Sequence, residues 1–260
     1  QETNLFQNYC KVQFLISILN TSEKINQIVV DSESLIRVLR QIPGLKNTDI
    51  TVQKKNNFYK YVSNLRIFLS QLLIILSKCS RFVIFKLFFK KTCNYPLSNI
   101  RIIDTYVHPG FYAKDRYYNG ILDHLSPDEK LRTYFVPTIT NTSIFKAYGA
   151  FNEMLSANRN FLFKEFFLSF SDIISACLYI FRIKSIKVNE IEHNGLDYSS
   201  IINESFQEPF GVSISIEGLI NFKFIKRLKE SNVSIAHFVD WWENQSSDKG
   251  FHIAMNKFYP

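Results

Sequence analysis

The amino-acid sequence predicts an α/β protein with a Rossmann-like, mostly parallel sheet and helices on both faces. Short β-branched and apolar runs alternate along the chain with longer stretches of helical periodicity. The chain opens with a β-α-β pattern, in which strands at Ile25–Val30 and Asp49–Gln53 flank a helix at Ser34–Gln41. It closes with residues 232–260, which have the pattern of a strand, a polar turn and a helix. We therefore predict one Rossmann-like domain spanning residues 1–260.

The middle of the chain supplies the other predicted elements. Further strands are predicted at Ile100–Val107, Leu131–Ile139 and Val233–Val239, the last as a near-continuous apolar run typical of a strand buried on both faces. We expect all five strands to share one sheet, with their carboxyl ends on one side. Helices are predicted at Ile144–Leu155, Phe161–Phe181, Asp197–Phe206 and Ser215–Glu230, and Leu5–Leu19 is predicted as a helix or a mixed segment.

The segment Tyr59–Lys91 is long, apolar and basic. Leucines and phenylalanines recur in it at helical spacing, and six lysines and arginines from Arg66 onward add positive charge. Its apolar run is too short and too interrupted by charge to span a bilayer. We interpret the segment as one or two core helices with exposed basic side chains. The alternative is a helix that lies on an anionic membrane.

The formal net charge of +8 is compatible with a nucleic acid, an anionic membrane surface or a phosphorylated substrate. The basic residues are spread over several predicted helices and no nucleic-acid-binding motif occurs, so no nucleic-acid partner is expected. There is no GxGxxG, no P-loop and no GxSxG motif. The four cysteines and five histidines are scattered and have no zinc-binding spacing, so we expect no metal.

The turn after the last predicted strand carries the most concentrated chemistry. Six consecutive residues supply two carboxylates, two indoles and two amides: Asp240, Trp241, Trp242, Glu243, Asn244 and Gln245. Ligands of open α/β sheets bind outside the carboxyl ends of the strands, where this turn would lie. His108 and Asp115 follow another predicted strand, and we expect them to approach the same cleft. The alternative is a strand end whose indoles pack and whose carboxylates cap the next helix.

Residues 115–139, DRYYNGILDHLSPDEKLRTYFVPTI, and residues 238–260, FVDWWENQSSDKGFHIAMNKFYP, carry a family-like pattern. Together they resemble the amino-terminal half of bacterial surface-carbohydrate biosynthesis proteins with a glycosyltransferase-B architecture. In that family an aromatic-rich strand runs into a Glu-Asn-Gln motif and then a helix. The resemblance covers the chain from Ile100 onward. It implies that a second, nucleotide-sugar-binding domain follows the present one.

The resemblance implies a glycosyltransferase, or its acceptor-side domain, in bacterial surface polysaccharide or lipopolysaccharide biosynthesis. Such a reaction needs a carboxylate as base, or as nucleophile and acid. We rank Glu243 first for this role because it lies in the family-like motif, and Asp240 competes with it. The residues expected to bind substrate are His108, Asp115, Arg116, Trp242, Asn244 and Gln245.

The implied donor is a nucleotide sugar, and the implied acceptor is a saccharide or a lipid-linked saccharide. CMP-activated Kdo or sialic acid would suit a basic protein, because both sugars are acidic. Enzymes with this architecture resemble one another in needing no bound metal, and the sequence has no DxD triplet, so no cofactor is expected. The implied location is the cytoplasm, at the inner face of the bacterial membrane. The alternative is a non-catalytic basic interaction domain at a membrane surface.

Overall fold

The structure is a computed structural model of the 260-residue chain. It describes residues 4–21, 25–53, 57–95, 98–112, 117–118, 120–140, 142–206, 212–240, 243 and 245–260, and the side chains of residues 57–64 lie outside this description. The chain forms two compact units. The first comprises Gln1–Gln71 and Ile180–Phe210, and the second comprises Leu72–Tyr179 and Gly211–Pro260.

The described helices and strands alternate along most of the chain. In order they are α1 (Asn4–Asn20), β1 (Gln27–Val30), α2 (Glu33–Leu39), β2 (Asp49–Val52), α3 (Asn57–Ile84), β3 (Ile100–Val107), α4 (Pro127–Arg132), β4 (Thr133–Ile139), α5 (Ala147–Leu155), α6 (Lys164–Phe167), α7 (Phe170–Cys177), α8 (Tyr179–Ser185), β5 (Glu192–His193), β6 (Leu196–Asp197), α9 (Ser199–Ser205), α10 (Val212–Glu230), β7 (Ile235–Val239) and α11 (Ser246–Phe258). A π-helical turn, Phe85–Phe89, continues α3.

The first unit contains the predicted β-α-β opening. Strands β1 and β2 pair in parallel, with Gln27 opposite Asp49 and Val30 opposite Val52. Ser32 caps α2, because its Oγ accepts a hydrogen bond from the Leu35 N–H at 3.1 Å. The apolar side chains of these elements are buried in one core together with residues of α1 and α9.

The second unit is built on a three-stranded parallel sheet with the order β4-β3-β7. Strand β3 is central, and Ile103 pairs with Phe135 on one side and Val239 on the other. On one face of the sheet, Ile103 and Phe135 belong to an aromatic core with side chains of the π-helical turn and α5. On the other face, the ring of Phe238 contacts Phe251 of α11. The prediction of a parallel sheet with helices on both faces is therefore confirmed for this unit.

The expectation that all five strands share one sheet is wrong. Among the described residues, β1 and β2 form a sheet of their own, separate from the β4-β3-β7 sheet. Both edges of β3 are already paired, and the apolar residues of β1 and β2 are buried among α1, α2 and α9. Pairing between strands that are distant in sequence decides this division, and the local pattern does not contain it.

The single helix predicted at Phe161–Phe181 is also wrong. Residues 161–163 run beside β4, where the Leu162 N–H donates to the Phe135 carbonyl at 2.9 Å. The chain then forms α6, α7 and α8 as three short helices. Ser169 is the cap residue of α7, because its side chain and that of Asp172 form a capping box. A new helix therefore begins here, within the predicted one.

Strand β7 is less buried than predicted. It lies at an edge of the described sheet, and Ala236, His237 and Val239 are exposed. An edge strand leaves part of its surface in water, whereas the predicted strand would have been buried on both faces. Among the described helices, none has both the length and the apolar character needed to cross a membrane.

Candidate functional site

A cavity of about 390 Å³ lies in the second unit at the carboxyl ends of β3 and β4, and we call it the carboxyl-edge cavity. This edge of a parallel sheet is where α/β proteins bind their ligands. Tyr106 and the stretch 138–140 contribute from the strands, and Gln245 and Ser247 contribute from the start of α11. The remaining lining residues come from α3 and α10: Leu73, Ile74, Ser77, Lys78, Arg81, Ser213, Ile214 and Glu217.

A buried network of charges forms one wall of this cavity. Lys164 is 3% exposed, and its ammonium donates to Glu217 Oε1 at 2.6 Å, Asn221 Oδ1 at 2.6 Å and Thr138 Oγ1 at 2.9 Å. The other carboxylate oxygen of Glu217 accepts a hydrogen bond from Lys78 Nζ. One glutamate therefore lies between two lysines, and the network joins α3, β4, α6 and α10.

The charges of this network determine the protonation state of Glu217. Burial alone would raise the pKa of Glu217, but the positive charges of Lys164 and Lys78 outweigh burial and hold that pKa well below its usual range. The carboxylate is therefore ionised at neutral pH. It balances one of the two lysine charges and leaves the wall net positive.

Arg81 is fixed beside Lys78 on the same face of α3. Its guanidinium donates to the Ile139 carbonyl at 2.8 Å and to the Thr142 carbonyl at 2.9 Å, just beyond the end of β4. These bonds hold a buried cation at the edge of the sheet where the cavity lies. The cavity is thus lined by two cations, one carboxylate, several hydroxyl groups and one amide.

The turn before α11 is organised by the buried carboxylate of Asp248. Its Oδ2 accepts hydrogen bonds from the backbone N–H groups of Glu243 and Gln245, both at 3.0 Å. Its Oδ1 accepts from the hydroxyl groups of Ser247 at 2.9 Å and Tyr106 at 3.2 Å. A single side chain therefore fixes the predicted catalytic turn to the carboxyl end of β3. The helix begins at Ser246, and Gln245 occupies its cap position.

Two glycines allow α11 to approach α10 closely enough to deliver Ser247 to the cavity. A Cβ atom on Gly218 would lie 2.1 Å from the Ser246 carbonyl oxygen, and a Cβ atom on Gly250 would lie 2.0 Å from the Gly218 carbonyl oxygen. Any side chain at either position would push the helices apart. At this crossing, Asn221 Nδ2 donates to the Ser247 carbonyl at 3.1 Å, which links the turn to the buried network.

The residues predicted from sequence fall into three groups. Gln245 lines the cavity. Glu243, Asp240 and His108 lie at the same edge of the sheet, beyond the ends of β7 and β3, but they are not among the described residues that line the cavity. Asp115, Arg116, Trp242 and Asn244 lie outside the described residues.

Glu243 and His108 make local contacts in this structure. The exposed Glu243 carboxylate accepts a hydrogen bond from Gln245 Nε2 at 2.7 Å. The His108 ring packs against Phe111, with the ring centroids 4.7 Å apart. Glu243 therefore contacts the cavity only through Gln245, which lines it.

Asp104 brings a further carboxyl group beneath this edge. It is 1% exposed in the middle of β3, and its Oδ1 has no hydrogen-bond partner among the described residues. Burial raises the pKa of Asp104 to about 8; the nearby Lys164 charge opposes this rise, and the Asp240 carboxylate adds to it. Asp104 is therefore mostly protonated at neutral pH, beside a candidate catalytic residue.

Sequence reasoning missed the buried network, although the sequence holds a signal for it. Lys164 and Glu217 are charged residues inside apolar helical stretches. Buried charges require partners, so such residues are candidates for pairing with one another. Their pairing brings together segments 53 residues apart, which the local pattern does not show.

Within the described part of the chain, no group of three or more His, Cys, Asp and Glu side chains is arranged to hold a metal ion. Comparison of the chain with protein-family profiles gave no match. Comparisons with curated proteins and with solved structures gave no match either.

Proposed function

We propose that the chain is a glycosyltransferase domain of bacterial surface polysaccharide biosynthesis, with its saccharide bound in the carboxyl-edge cavity. The observation that supports this most is the lining of the cavity. Hydroxyl groups, one amide and fixed cations surround a space of about 390 Å³ together with the apolar side chains of Leu73, Ile74, Ile139 and Ile214. This volume lies within the range of small-molecule sites. A sugar presents many hydroxyl groups, and such a lining offers donors and acceptors for them.

The sheet of the second unit supports the proposed architecture of one glycosyltransferase-B half. The three parallel strands with helices on both faces are compatible with the core of a Rossmann-like domain. In the proposed whole protein, a second such domain binds the nucleotide of the donor. This domain supplies the acceptor side and the cavity in which the saccharide lies.

The proposed chemistry uses a carboxylate of the turn before α11. Glu243 is our first candidate for the group that accepts the proton of the acceptor hydroxyl or attacks the anomeric carbon. Its position supports this role, because it is exposed and hydrogen-bonded to Gln245 of the cavity lining. Asp240 remains the competing candidate, and no metal or other cofactor is part of the proposed reaction.

The proposed donor carries an acidic sugar, as CMP-activated Kdo or sialic acid does. Lys78 supports this proposal. An ammonium group has three N–H donors, and the described residues offer Lys78 one acceptor, Glu217. The two remaining donors are available to a carboxylate or a phosphate in the cavity that Lys78 lines.

We also propose that the domain works in the cytoplasm, at the inner face of the membrane. The second candidate function is a non-catalytic basic interaction domain at that surface. The exposed apolar face of α3 supports both, because a docking surface does not require catalysis. Only the first function requires the cavity to bind a sugar.

Calorimetric titration of the 260-residue chain tests the proposal. The probes are CMP-Kdo, CMP-N-acetylneuraminic acid, the two free acidic sugars and glucose as a neutral control. We expect at least one acidic ligand to bind more tightly than glucose. Lys78→Met should weaken that binding about tenfold or more, because it removes a charge-assisted hydrogen bond.

The matched control is Lys130→Met, which removes an exposed lysine of α4 at the amino end of β4, opposite the cavity. Its ligand affinity should equal that of the wild type. A chain that binds none of the probes would leave the non-catalytic function as the better proposal. Binding that Lys78→Met does not change would place the ligand elsewhere.

A further inference from the structure

The carboxyl-terminal part of α3 and the π-helical turn that continues it expose a row of large apolar side chains. The row comprises Leu72, Leu73, Leu76, Val83, Leu87 and Phe88, and we call it the α3 stripe. Leu73 is 61% exposed and Leu87 is 71% exposed. Scattered single apolar residues are normal on a protein surface, but a contiguous apolar face marks a site of interaction.

The opposite face of the same segment fixes the direction of the stripe. Phe82, Phe85 and Phe89 are buried, and the Phe85 ring contacts the rings of Phe151 and Phe163 in the core beneath the sheet. With this face held by packing, the neighbouring positions of the helix must face outward. The interpretation of the whole segment as core helices is therefore correct for one face and wrong for the other.

Aromatic residues of a second element extend the stripe. The ring of Tyr148 packs edge-on against Phe88, with 5.5 Å between the ring centroids, and is half exposed. Phe145, one helical turn earlier, is 96% exposed. Tyrosine is enriched at the membrane–water interface, and phenylalanine is common on the apolar face of helices that lie there.

The sequence segment that carries the stripe has charges of a single sign. Between Asp49 and Asp104 the sequence contains ten lysines and arginines and no aspartate or glutamate. Lys90 and Lys91 are exposed directly after the π-helical turn, and Lys146 is exposed beside Phe145. Burial and repulsion from Lys90 lower the pKa of Lys86, whose charge also lies at this end of the segment.

We propose that the α3 stripe docks on an anionic lipid bilayer. The apolar side chains would enter the boundary between headgroups and acyl chains, and the surrounding lysines would contact lipid phosphates. A second copy of the chain is a poorer occupant. Two such faces in contact would bring the same lysines together, with no acidic residue of the segment to offset them.

The stripe also borders the candidate site. Leu73 belongs to the stripe and to the lining of the carboxyl-edge cavity, and the next residue, Ile74, lines the cavity as well. The cavity therefore lies at the edge of the docking surface. This position suits an acceptor that is anchored in the same bilayer, and that part of the inference rests on the proposed function.

Co-sedimentation of the 260-residue chain with lipid vesicles tests the docking. Vesicles of phosphatidylcholine alone are compared with vesicles that also contain phosphatidylglycerol, at low and at high ionic strength. The screening length falls from about 30 Å at 0.01 M to about 3 Å at 1 M salt. We expect binding to the anionic vesicles at low salt and a several-fold loss at high salt.

Leu76→Ser/Leu87→Ser should lower binding to anionic vesicles about tenfold or more, because two apolar side chains no longer enter the bilayer. Neither residue lines the cavity. The matched control is Leu131→Ser, which changes an equally exposed leucine at the amino end of β4 and should bind as the wild type does. Circular dichroism verifies that each variant is folded.

Three results would overturn the docking. One is equal binding to neutral and anionic vesicles at low salt, and another is a double variant that binds like the wild type. The third is a wild-type dimer in solution that is absent in the double variant, which would assign the stripe to a second copy.

The two proposals can fail separately. Docking without any saccharide binding would overturn the proposed function and leave this inference. Saccharide binding without docking would overturn this inference and leave the proposed function.

Discussion

Lys164 Nζ lies 2.6 Å from Glu217 Oε1, and both side chains are buried behind the carboxyl-edge cavity. All three N–H donors of this ammonium are used, because Thr138 and Asn221 accept the other two. A buried ion pair stabilises a fold only when such additional hydrogen bonds satisfy its groups. The pair therefore fixes α6 and α10 against β4, and with them the wall of the cavity.

Glu217→Gln should lower the free energy of unfolding by about 3–5 kcal/mol, because it leaves the buried charges of Lys164 and Lys78 uncompensated. Urea unfolding followed by circular dichroism measures this change. The control on the same helix is Glu230→Gln, whose carboxylate pairs with Arg227 at the surface and should cost about 1 kcal/mol or less. Equal effects of the two substitutions would contradict the structural role of the pair.

The effect of Glu217→Gln should also depend on pH. The pKa of Glu217 is lower in the folded chain than its ordinary value of about 4.3, so the carboxylate stabilises the fold above that pH. This contribution is lost as the pH falls below about 4 toward the folded pKa. The difference between wild type and variant should therefore shrink in acid, and a difference that is constant from neutral pH to pH 3 would count against the assignment.

Asp104→Asn should change stability with the opposite dependence on pH. The pKa of Asp104 is raised to about 8, so between about 4 and 8 the folded chain binds more protons than the unfolded chain. The free energy of unfolding of the wild type therefore falls as pH rises through this range. The variant lacks this loss, and its stability relative to the wild type should be greater at pH 8 than at pH 5.

Thermal unfolding at the two pH values measures this difference. The control is Asp123→Asn, which makes the same substitution at an exposed aspartate. If Asp104→Asn shows no more pH dependence than this control, the raised pKa is wrong.

Gly218→Ala should destabilise the protein by about 2 kcal/mol or more, because its new Cβ atom would lie 2.1 Å from a backbone oxygen of α11. The control is Gly149→Ala in α5, where no atom lies within 4 Å of the new Cβ atom. At that open helical position alanine should stabilise by about 0.5–1 kcal/mol. Urea unfolding separates the two outcomes, and effects of the same sign and size would refute the close approach of α10 and α11.

The elements with the clearest local patterns could be predicted from the sequence. Strand β3 has the predicted bounds, Ile100–Val107, because its apolar run is flanked by polar residues. The break at Ser169 carries the signal of a capping box, a serine followed three residues later by an acidic side chain, and the apolar character of the segment concealed it. The hairpin of β5 and β6 was not predicted, although its Asn194–Gly195 turn, in which both residues have positive φ, is a sequence signal for a hairpin.

The division of the strands and the composition of the cavity could not be predicted in this way. Whether β2 pairs with β1 alone depends on contacts between segments that are distant in the chain. The cavity wall likewise combines Lys78, Lys164 and Glu217 from three helices. The turn 240–245 was found because its polar residues are consecutive, whereas these three charges come together only when the fold forms.

Glu243→Gln tests the catalytic role of the turn most directly. The backbone N–H of Glu243, not its side chain, is bonded to Asp248, so the substitution should leave the fold and the turn nearly unchanged. If the carboxylate acts as base or nucleophile, transfer of the sugar from its CMP donor should fall by about a hundredfold or more. The measurement is the rate of CMP release by the full-length protein with its nucleotide-sugar domain, together with circular dichroism of the variant.

Asp248→Asn provides the contrasting variant. The buried Asp248 carboxylate accepts the N–H groups of Glu243 and Gln245, so its loss should destabilise the turn and lower the free energy of unfolding by about 1–3 kcal/mol. If Glu243→Gln keeps near-normal turnover, Glu243 takes no part in the reaction, and the same substitution at Asp240 becomes the next test. A Glu243→Gln variant that unfolds as readily as Asp248→Asn would assign Glu243 to the support of the turn.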